Sequence, residues 1–225
     1  MKKYILSLAL CLLAATSCLK DSTFEIYNYA DFVTSYSGKL LSDYGDVYTV
    51  TSNATESEEW KIEGKRFYII CDILNRALAI KLKEITNVTV AQLSPLSEAD
   101  KWDDPVIVND HCISGGYLNI VMSYFYDKSS KYAHKLYFRS EYDGADDHLT
   151  IHIFHNGNHE NPAYMAVDDL DKKQVVYSVP LTDFIKEESR LSLSVSLHEL
   201  EKDAEGKEVV KKNTYHLVDE YAVAY

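Results

Sequence analysis

The chain reads as an all-β protein: a small N-terminal OB-like barrel followed by a C-terminal antiparallel β-sandwich. Short segments in which apolar and polar residues alternate recur between polar turns, which is the signature of half-buried strands. Helical periodicity is sustained almost nowhere. The 18 tyrosines among 225 residues suit strands, because the ring packs while the hydroxyl stays wet.

In the first half, Phe32 to Tyr36, Tyr44 to Val50, Arg66 to Ile73, Ala77 to Leu82 and Val88 to Leu93 have strand character, with a glycine-containing turn from Lys61 to Arg66. Five short strands in sequence predict a small barrel. The stretch 96–105 turns acidic and is bounded by Pro95 and Pro105, and it predicts a linker between two domains. Beyond it, Val106 to Val108, Ile113, Tyr117 to Tyr126, Ala133 to Phe138, His148 to Phe154 and Gln174 to Val179 read as sandwich strands. Ser114-Gly115-Gly116 predicts a bulge or tight bend, since glycine reaches backbone angles closed to other residues. One short helix is expected after Pro180, over LTDFIKEES, with Thr182 or Asp183 as its cap. Leu191, Leu193, Val195 and Leu197 alternate with Ser192, Ser194, Ser196 and His198, which predicts a strand with one face in water. The loop EKDAEGKE turns it back toward Val209 to Val218 as a long hairpin.

The N-terminus carries Lys2 and Lys3, an apolar run from Tyr4 to Leu13, and the small residues Ala14 to Ser17 before Cys18. That is the order of a signal peptide. The run is about half of what a helix needs to span a bilayer. Cys18 is the residue whose thiol can carry a thioether-linked diacylglycerol, so residues 1–17 are expected to be cleaved and Cys18 to become a lipid-bearing N-terminus. Several acyl chains, each worth on the order of 0.8 kcal/mol per buried methylene, make such an anchor stable. The expected layout is signal 1–17, lipidated tether 18–30, barrel 31–95, linker 96–105 and sandwich 106–225.

Of the four cysteines, Cys11 leaves with the signal and Cys18 with the lipid. Cys71 and Cys112 remain in apolar, strand-like contexts, where buried thiols are expected. A disulfide-stapled scaffold is thereby excluded. The net charge of −12 becomes −14 once Lys2 and Lys3 are removed, a balance that repels phosphate backbones and argues against nucleic acid as a partner. The acidic excess lies in the second half and reads as solvated loops.

Three patterns invite chemistry. The series His148, His152, His155 and His159 offers zinc ligands, but along a strand His148 and His152 share a face while His155 points the other way, and His159 follows a Gly turn. The expectation is solvent-facing histidines and no metal. The acid pairs Asp103-Asp104, Asp146-Asp147 and Asp168-Asp169 lie in loops without the spacing of a calcium loop, and a glycoside hydrolase needs two acids roughly 5–9 Å apart across a cleft. There is no G-x-S-x-G elbow, no phosphate-binding glycine loop, and no electropositive context for Cys71 or Cys112. No catalytic residue and no cofactor are assigned.

Residues 103–138, DDPVIVNDHCISGGYLNIVMSYFYDKSSKYAHKLYF, resemble the signature region of the NigD-like lipoproteins of Bacteroidetes. In that family an aspartate-containing turn and short strand lead into an Ile-Ser-Gly-Gly-Tyr-Leu-Asn-type segment, matched here by Ile113, Ser114, Gly115, Gly116, Tyr117, Leu118 and Asn119. A histidine-led strand follows, matched by His134 to Phe138, and then an Arg/His-Asn element for which His155-Asn156 is the candidate. Cys112 stands where a bulky aromatic is expected, and Ala163 to Gln174 is hard to register. The resemblance covers nearly the whole chain. It implies a lipoprotein signal, an OB-like barrel and a β-sandwich, with the signature marking fold and not chemistry.

The resemblance also implies an outer-membrane address, on the periplasmic face or the cell surface; CLKDST half-matches a surface-export signal, with only Asp21 acidic. Asp21-Ser22-Thr23 resembles an O-glycosylation sequon of these bacteria, with Ser22 the acceptor. The expected function is a non-catalytic envelope lipoprotein that binds a protein or glycan. The family name suggests bacteriocin immunity as an alternative, and glycan processing is a third.

Overall fold

The computed structural model describes residues 24–185 and 191–221. Residues 1–17, Cys18 and Ser22 lie outside the described residues. The chain divides into two compact units, the first running to Lys65 and including Ile69–Ile85, the second comprising Arg66–Tyr68 and the chain from Thr86 onward.

Five strands, β1 (Ile26–Tyr36), β2 (Lys39–Ser42), β3 (Val47–Asn53), β4 (Arg66–Ile73) and β5 (Ala79–Asn87), close into a barrel in the order β1-β2-β3-β5-β4. β1 and β2 pair antiparallel, as do β2 and β3, whereas β3 and β5 run parallel. This is the expected OB-like arrangement. Strand alternation sends Val33, Leu40, Tyr48, Ile69, Cys71, Ile80 and Leu82 to buried positions. Asp31 is also buried and accepts hydrogen bonds from Ser42 Oγ (2.7 Å) and Tyr48 Oη (2.8 Å). Desolvation raises its pKa, and burial beside Asp31 raises that of Tyr48. The expected tether to residue 30 is shortened, because Asn28 is already tied into β1. Its amide donates to Asp72 (3.0 Å), and its side-chain oxygen accepts from Lys83 Nζ (2.8 Å).

The second unit is a two-sheet sandwich. One sheet contains β7 (Leu93–Pro95), β10 (Lys135–Asp143), β11 (His148–Asn156), β13 (Leu191–Lys202) and β14 (Glu208–Tyr221) in the order β14-β13-β11-β10-β7; the other contains β6 (Thr89–Val90), β8 (Ile107–Ser114), β9 (Tyr117–Asp127) and β12 (Leu170–Pro180) in the order β6-β12-β9-β8. Leu118, Ile120 and Met122 of β9 meet Leu149, Ile151 and Ile153 of β11 and Leu193, Val195 and Leu197 of β13 in one core. Each such side chain, fully buried, stabilises by roughly 1.5–3 kcal/mol before entropy is subtracted.

Three features depart from expectation. The sandwich is mixed, since β7 with β10, β11 with β13, and β6 with β12 run parallel. The barrel ends before residue 95, because the residues expected as its last strand form β6 and β7 and pair into the sandwich sheets. The helix expected after Pro180 begins as a single turn, closed by Phe184 N–H to the Leu181 carbonyl (3.0 Å), and its remainder lies outside the described residues. The β13–β14 hairpin forms as expected.

Gly115 and Gly116 form a two-residue hairpin turn between β8 and β9, with φ of 57° and 78°. Both angles are left-handed, the condition of a type I′ turn. Replacing Gly115 with the β-branched Val should cost at least about 1–2 kcal/mol, read as a lower urea midpoint. A Gly115→Val chain as stable as the parent would show that the turn does not hold this geometry.

Candidate functional site

The segment expected to be a linker is a strap over the outer face of the five-stranded sheet. It starts at β10, where Leu96 N–H donates to the Ser140 carbonyl (2.9 Å), and ends at β13, where Val106 N–H donates to the His198 carbonyl (2.9 Å). Between these points Arg139 Nε reaches both carboxylate oxygens of Asp100 at 3.0 Å, and the Asp100 side chain is only 4% exposed. Trp102 stacks on Tyr137, with centroids 4.2 Å apart and planes 10° from parallel, and the Arg139 guanidinium lies over the same Tyr137 ring. A chain that needed to swing would not bury a carboxylate this way; the acidic composition of the strap meets cations on the sheet.

Strap and sheet border an open cavity of about 450 Å³. Its floor is Phe154, His198 and Lys212, and its walls carry Leu96, Ser97, Glu98, Lys101, Trp102 and Asp103. The serine–histidine face of β13 therefore does not lie in water as the alternation predicts. Ser194, Ser196, His152 and Phe154 are all buried. Among the described residues His152 Nδ1, Ser196 Oγ and His198 Nδ1 are buried without a hydrogen-bond partner. Ser196 is in register with His152, and His198 lies two residues further along the same face. Each orphaned polar atom costs about 1–3 kcal/mol; His198 lines the cavity itself, and the His152 ring stacks near Phe154 of the lining (6.2 Å). Burial lowers the pKa of His198, which favours its neutral form.

At one end of the strap the histidines converge in a way that spacing did not reveal. His155, expected to face solvent, is 2% exposed. Its Nε2 lies 3.0 Å from His134 Nδ1 and its Nδ1 lies 3.2 Å from the Pro105 carbonyl. A carbonyl only accepts, so His155 carries its proton on Nδ1 and accepts from His134 on Nε2. His134 Nε2 is 2.9 Å from Glu160 Oε2. Desolvation opposes ionisation of Glu160, but hydrogen bonds from Ser130, the Asp127 amide and His134 together outweigh it and hold the pKa at about 2. Tyr124 stacks on His134 (4.9 Å) and packs on His155 (4.7 Å). A Cβ at Gly157 would come within 2.9 Å of the His155 ring, so this position admits only glycine without displacing it. His134 stands outside the histidine series because its partners are remote in sequence; its place at the head of a strand is the local sign it carries.

Asp104 locks this network to the strap. Its carboxylate accepts from the amides of Gly157 (2.8 Å) and His159 (3.3 Å) and from Asn161 Nδ2 (3.1 Å). The signature segment 114–119 forms a second buried network. Asn119 donates to Ser114 Oγ (2.9 Å) and accepts from Ser178 Oγ (2.5 Å) and Arg66 (3.2 Å), while the Arg66 guanidinium lies 4.3 Å from the Tyr117 ring centroid. Leu118 is fully buried in the core.

The acid pairs do not act as pairs. Asp104 is buried while Asp103 lines the cavity, and Asp147 accepts from Tyr142 Oη (2.6 Å). Asp168 and Asp169 sit in a 3-10 turn. Among the described residues no three His, Cys, Asp or Glu side chains converge as metal ligands. Cys71 is a buried barrel thiol whose pKa burial raises to about 11, and Cys112 lies on β8 near Ser114 (3.8 Å), so the two do not form a disulfide. No described helix is long and apolar enough to cross a membrane.

Barrel, mixed sandwich and strap define a class of two-unit all-β fold. Solved structures with this fold include a NigD-like immunity protein from Bacteroides caccae, 16% identical, with a TM-score of 0.61 over 84% of this chain and 97% of that one. A DUF1344 protein of unknown function from Bacteroides vulgatus is 18% identical, with a TM-score of 0.58 over 88% and 95% of the two chains. A candidate lipoprotein from Bacteroides fragilis is 12% identical, with a TM-score of 0.54 over 83% and 97%. At these identities the likeness is one of fold. No family model and no curated protein matches the sequence.

Burial lowers the His155 pKa from 6.5 to about 4, so between those values the unfolded chain binds a proton that the folded chain refuses. Stability should therefore fall as pH drops from 6.5 toward 4. Glu160, held low, adds a further loss as pH falls from 4.5 toward 2. A His155→Gln chain should show a flatter dependence of urea midpoint on pH above 4; an unchanged slope would remove His155 as the cause.

Proposed function

We propose that the mature chain is a lipid-anchored, non-catalytic protein of the bacterial envelope, a member of the NigD-like family, that holds a partner at the strap cavity. The observation that carries this reading is where the polar chemistry goes. His134, His155, Glu160 and Asp104 are engaged with one another and with backbone groups, whereas the cavity is lined by His198, whose Nδ1 has no partner among the described residues. Paired acid and base groups with a free reactive atom are what catalysis requires, and a shaped cavity with a few polar groups is what binding requires.

The address rests on the N-terminal sequence, in which Cys18 follows a short apolar run and small residues, and on the fold shared with the B. fragilis candidate lipoprotein. The outer membrane is the proposed site of attachment. A Cys18→Ala chain expressed in its host should lose radiolabelled palmitate and leave the membrane pellet; a variant that still labels and sediments would remove the anchor.

A second reading, immunity, is favoured by the B. caccae structure, which is that of an immunity protein. Deletion of the gene should then raise sensitivity to bacteriocins of neighbouring strains, measured by overlay inhibition zones. Unchanged zones across producer strains would count against immunity and leave the anchored binding protein standing.

A further inference from the structure

We infer that the cavity beneath the strap is a binding site for an uncharged saccharide, one or two pyranose rings at the end of a glycan. This rests on the reading of the chain as a binding protein and names the ligand class for the cavity.

Four observations lead there. At about 450 Å³ the cavity falls in the range of small-molecule sites, roughly 300–1,000 Å³, and opens to solvent on one side, as the end of a longer glycan requires. Its aromatic wall is braced: Trp102 has one face against Tyr137, and Tyr137 is backed by Arg139, which is fixed by buried Asp100. Trp102 therefore offers the cavity its other face or its edge at little entropic cost, and Phe154 supplies an apolar floor. Pyranose rings present C–H faces that pack on such surfaces, with hydroxyls around the edge.

The charges lining the cavity balance. Asp100 is neutralised by Arg139, which leaves Glu98 and Asp103 against Lys101 and Lys212. Neither an anion nor a cation is favoured, while an uncharged ligand whose groups both donate and accept can meet all four. Hydroxyls also suit His198, whose Nδ1 lacks a partner among the described residues. Finally, the floor is a sheet face made by neighbouring strands β11, β13 and β14, whose main-chain groups pair with one another. A peptide adding as a strand would pair at the outer edge of β14, beside this face and not upon it.

The test uses the chain's own fluorescence. Its two tryptophans are Trp60 and Trp102, so in a Trp60→Phe background Trp102 alone reports. The detergent-solubilised full chain is titrated with maltose, lactose and N,N′-diacetylchitobiose, and with glucuronate as an anionic control. A saturable change in Trp102 emission is expected with at least one neutral disaccharide and none with glucuronate. If Trp60→Phe does not fold, calorimetry on the unsubstituted chain reads the same binding. Lys212→Met, on an exposed strand position, should weaken that affinity about tenfold, the loss of one charged hydrogen bond, with an unchanged melting midpoint.

Absence of any response to the neutral sugars overturns the inference, as does equal affinity in Lys212→Met together with Asp103→Asn. A response to glucuronate alone, or loss of a cross-linked envelope protein in Trp102→Ala, would assign the cavity to an anion or a protein; either overturns the saccharide and keeps the binding reading. Failure of that reading is seen separately, as neither sugar, anion nor protein engaging the cavity.

Discussion

The Asp104 carboxylate is the constraint on which the rest of the sandwich's outer architecture depends. It is 7% exposed, and a buried carboxylate is costly unless its oxygens are filled. Here one oxygen accepts two backbone amides of the 157–159 turn and the other accepts from Asn161. The same residue donates its own amide to the His155 carbonyl (3.2 Å). One side chain therefore fixes the C-terminal end of the strap, the loop that brings in Glu160, and the ring that Glu160 reaches through His134. Truncating it would leave three donors unsatisfied in a buried site, which is a larger loss than any single hydrogen bond.

That constraint explains why a segment of linker composition is not a linker. Pro95, Pro105 and the acids between them discourage a regular strand, and loops of such composition normally run through solvent. Two matched contacts reverse the expectation, Asp100 with Arg139 and Trp102 with Tyr137, because both sheet partners come from alternate positions on β10 that point outward. With the strap in place, serines on β13 that look like a solvent face become buried. Alternation identified which residues share a face. It could not say what covers that face.

The barrel and the sandwich strands were legible because period-two patterning is local. Leu191 to Leu197 announced both the core side and the hairpin, and Ser114-Gly115-Gly116 announced its turn through glycine's backbone freedom. What was not legible depends on partners distant in sequence. β7 is three residues long and exists by pairing parallel with Phe138–Ser140, and no local signal distinguishes it from a barrel strand. Alternation places His155 on the side of β11 opposite His148 and His152, yet its ring contacts come from remote segments: His134, itself held by Glu160, and the Pro105 carbonyl. Adjacent carboxylates separate for the same reason: Asp103 lines the cavity while Asp104 is buried.

The two buried networks contain the residues of the 103–138 motif, and both consist of side chains whose donors and acceptors are matched. Asn119 is the clearest case, since its oxygen and nitrogen are both engaged, by Ser178 and Arg66 on one side and Ser114 on the other. Networks of this kind fix a unique register, because any slip leaves several polar groups unpaired in a low-dielectric interior. They do not offer a reactive atom to a substrate. The fold recurs in solved structures at 12–18% identity, and in this chain the motif's polar residues serve its register. The strap differs in kind: the side chains of its anchors, Asp100 and Asp104, are buried, while Glu98 before them and Lys101 and Asp103 between them are exposed and can change without disturbing either network. The proposed binding site thus falls on the part of the molecule where substitution costs least stability.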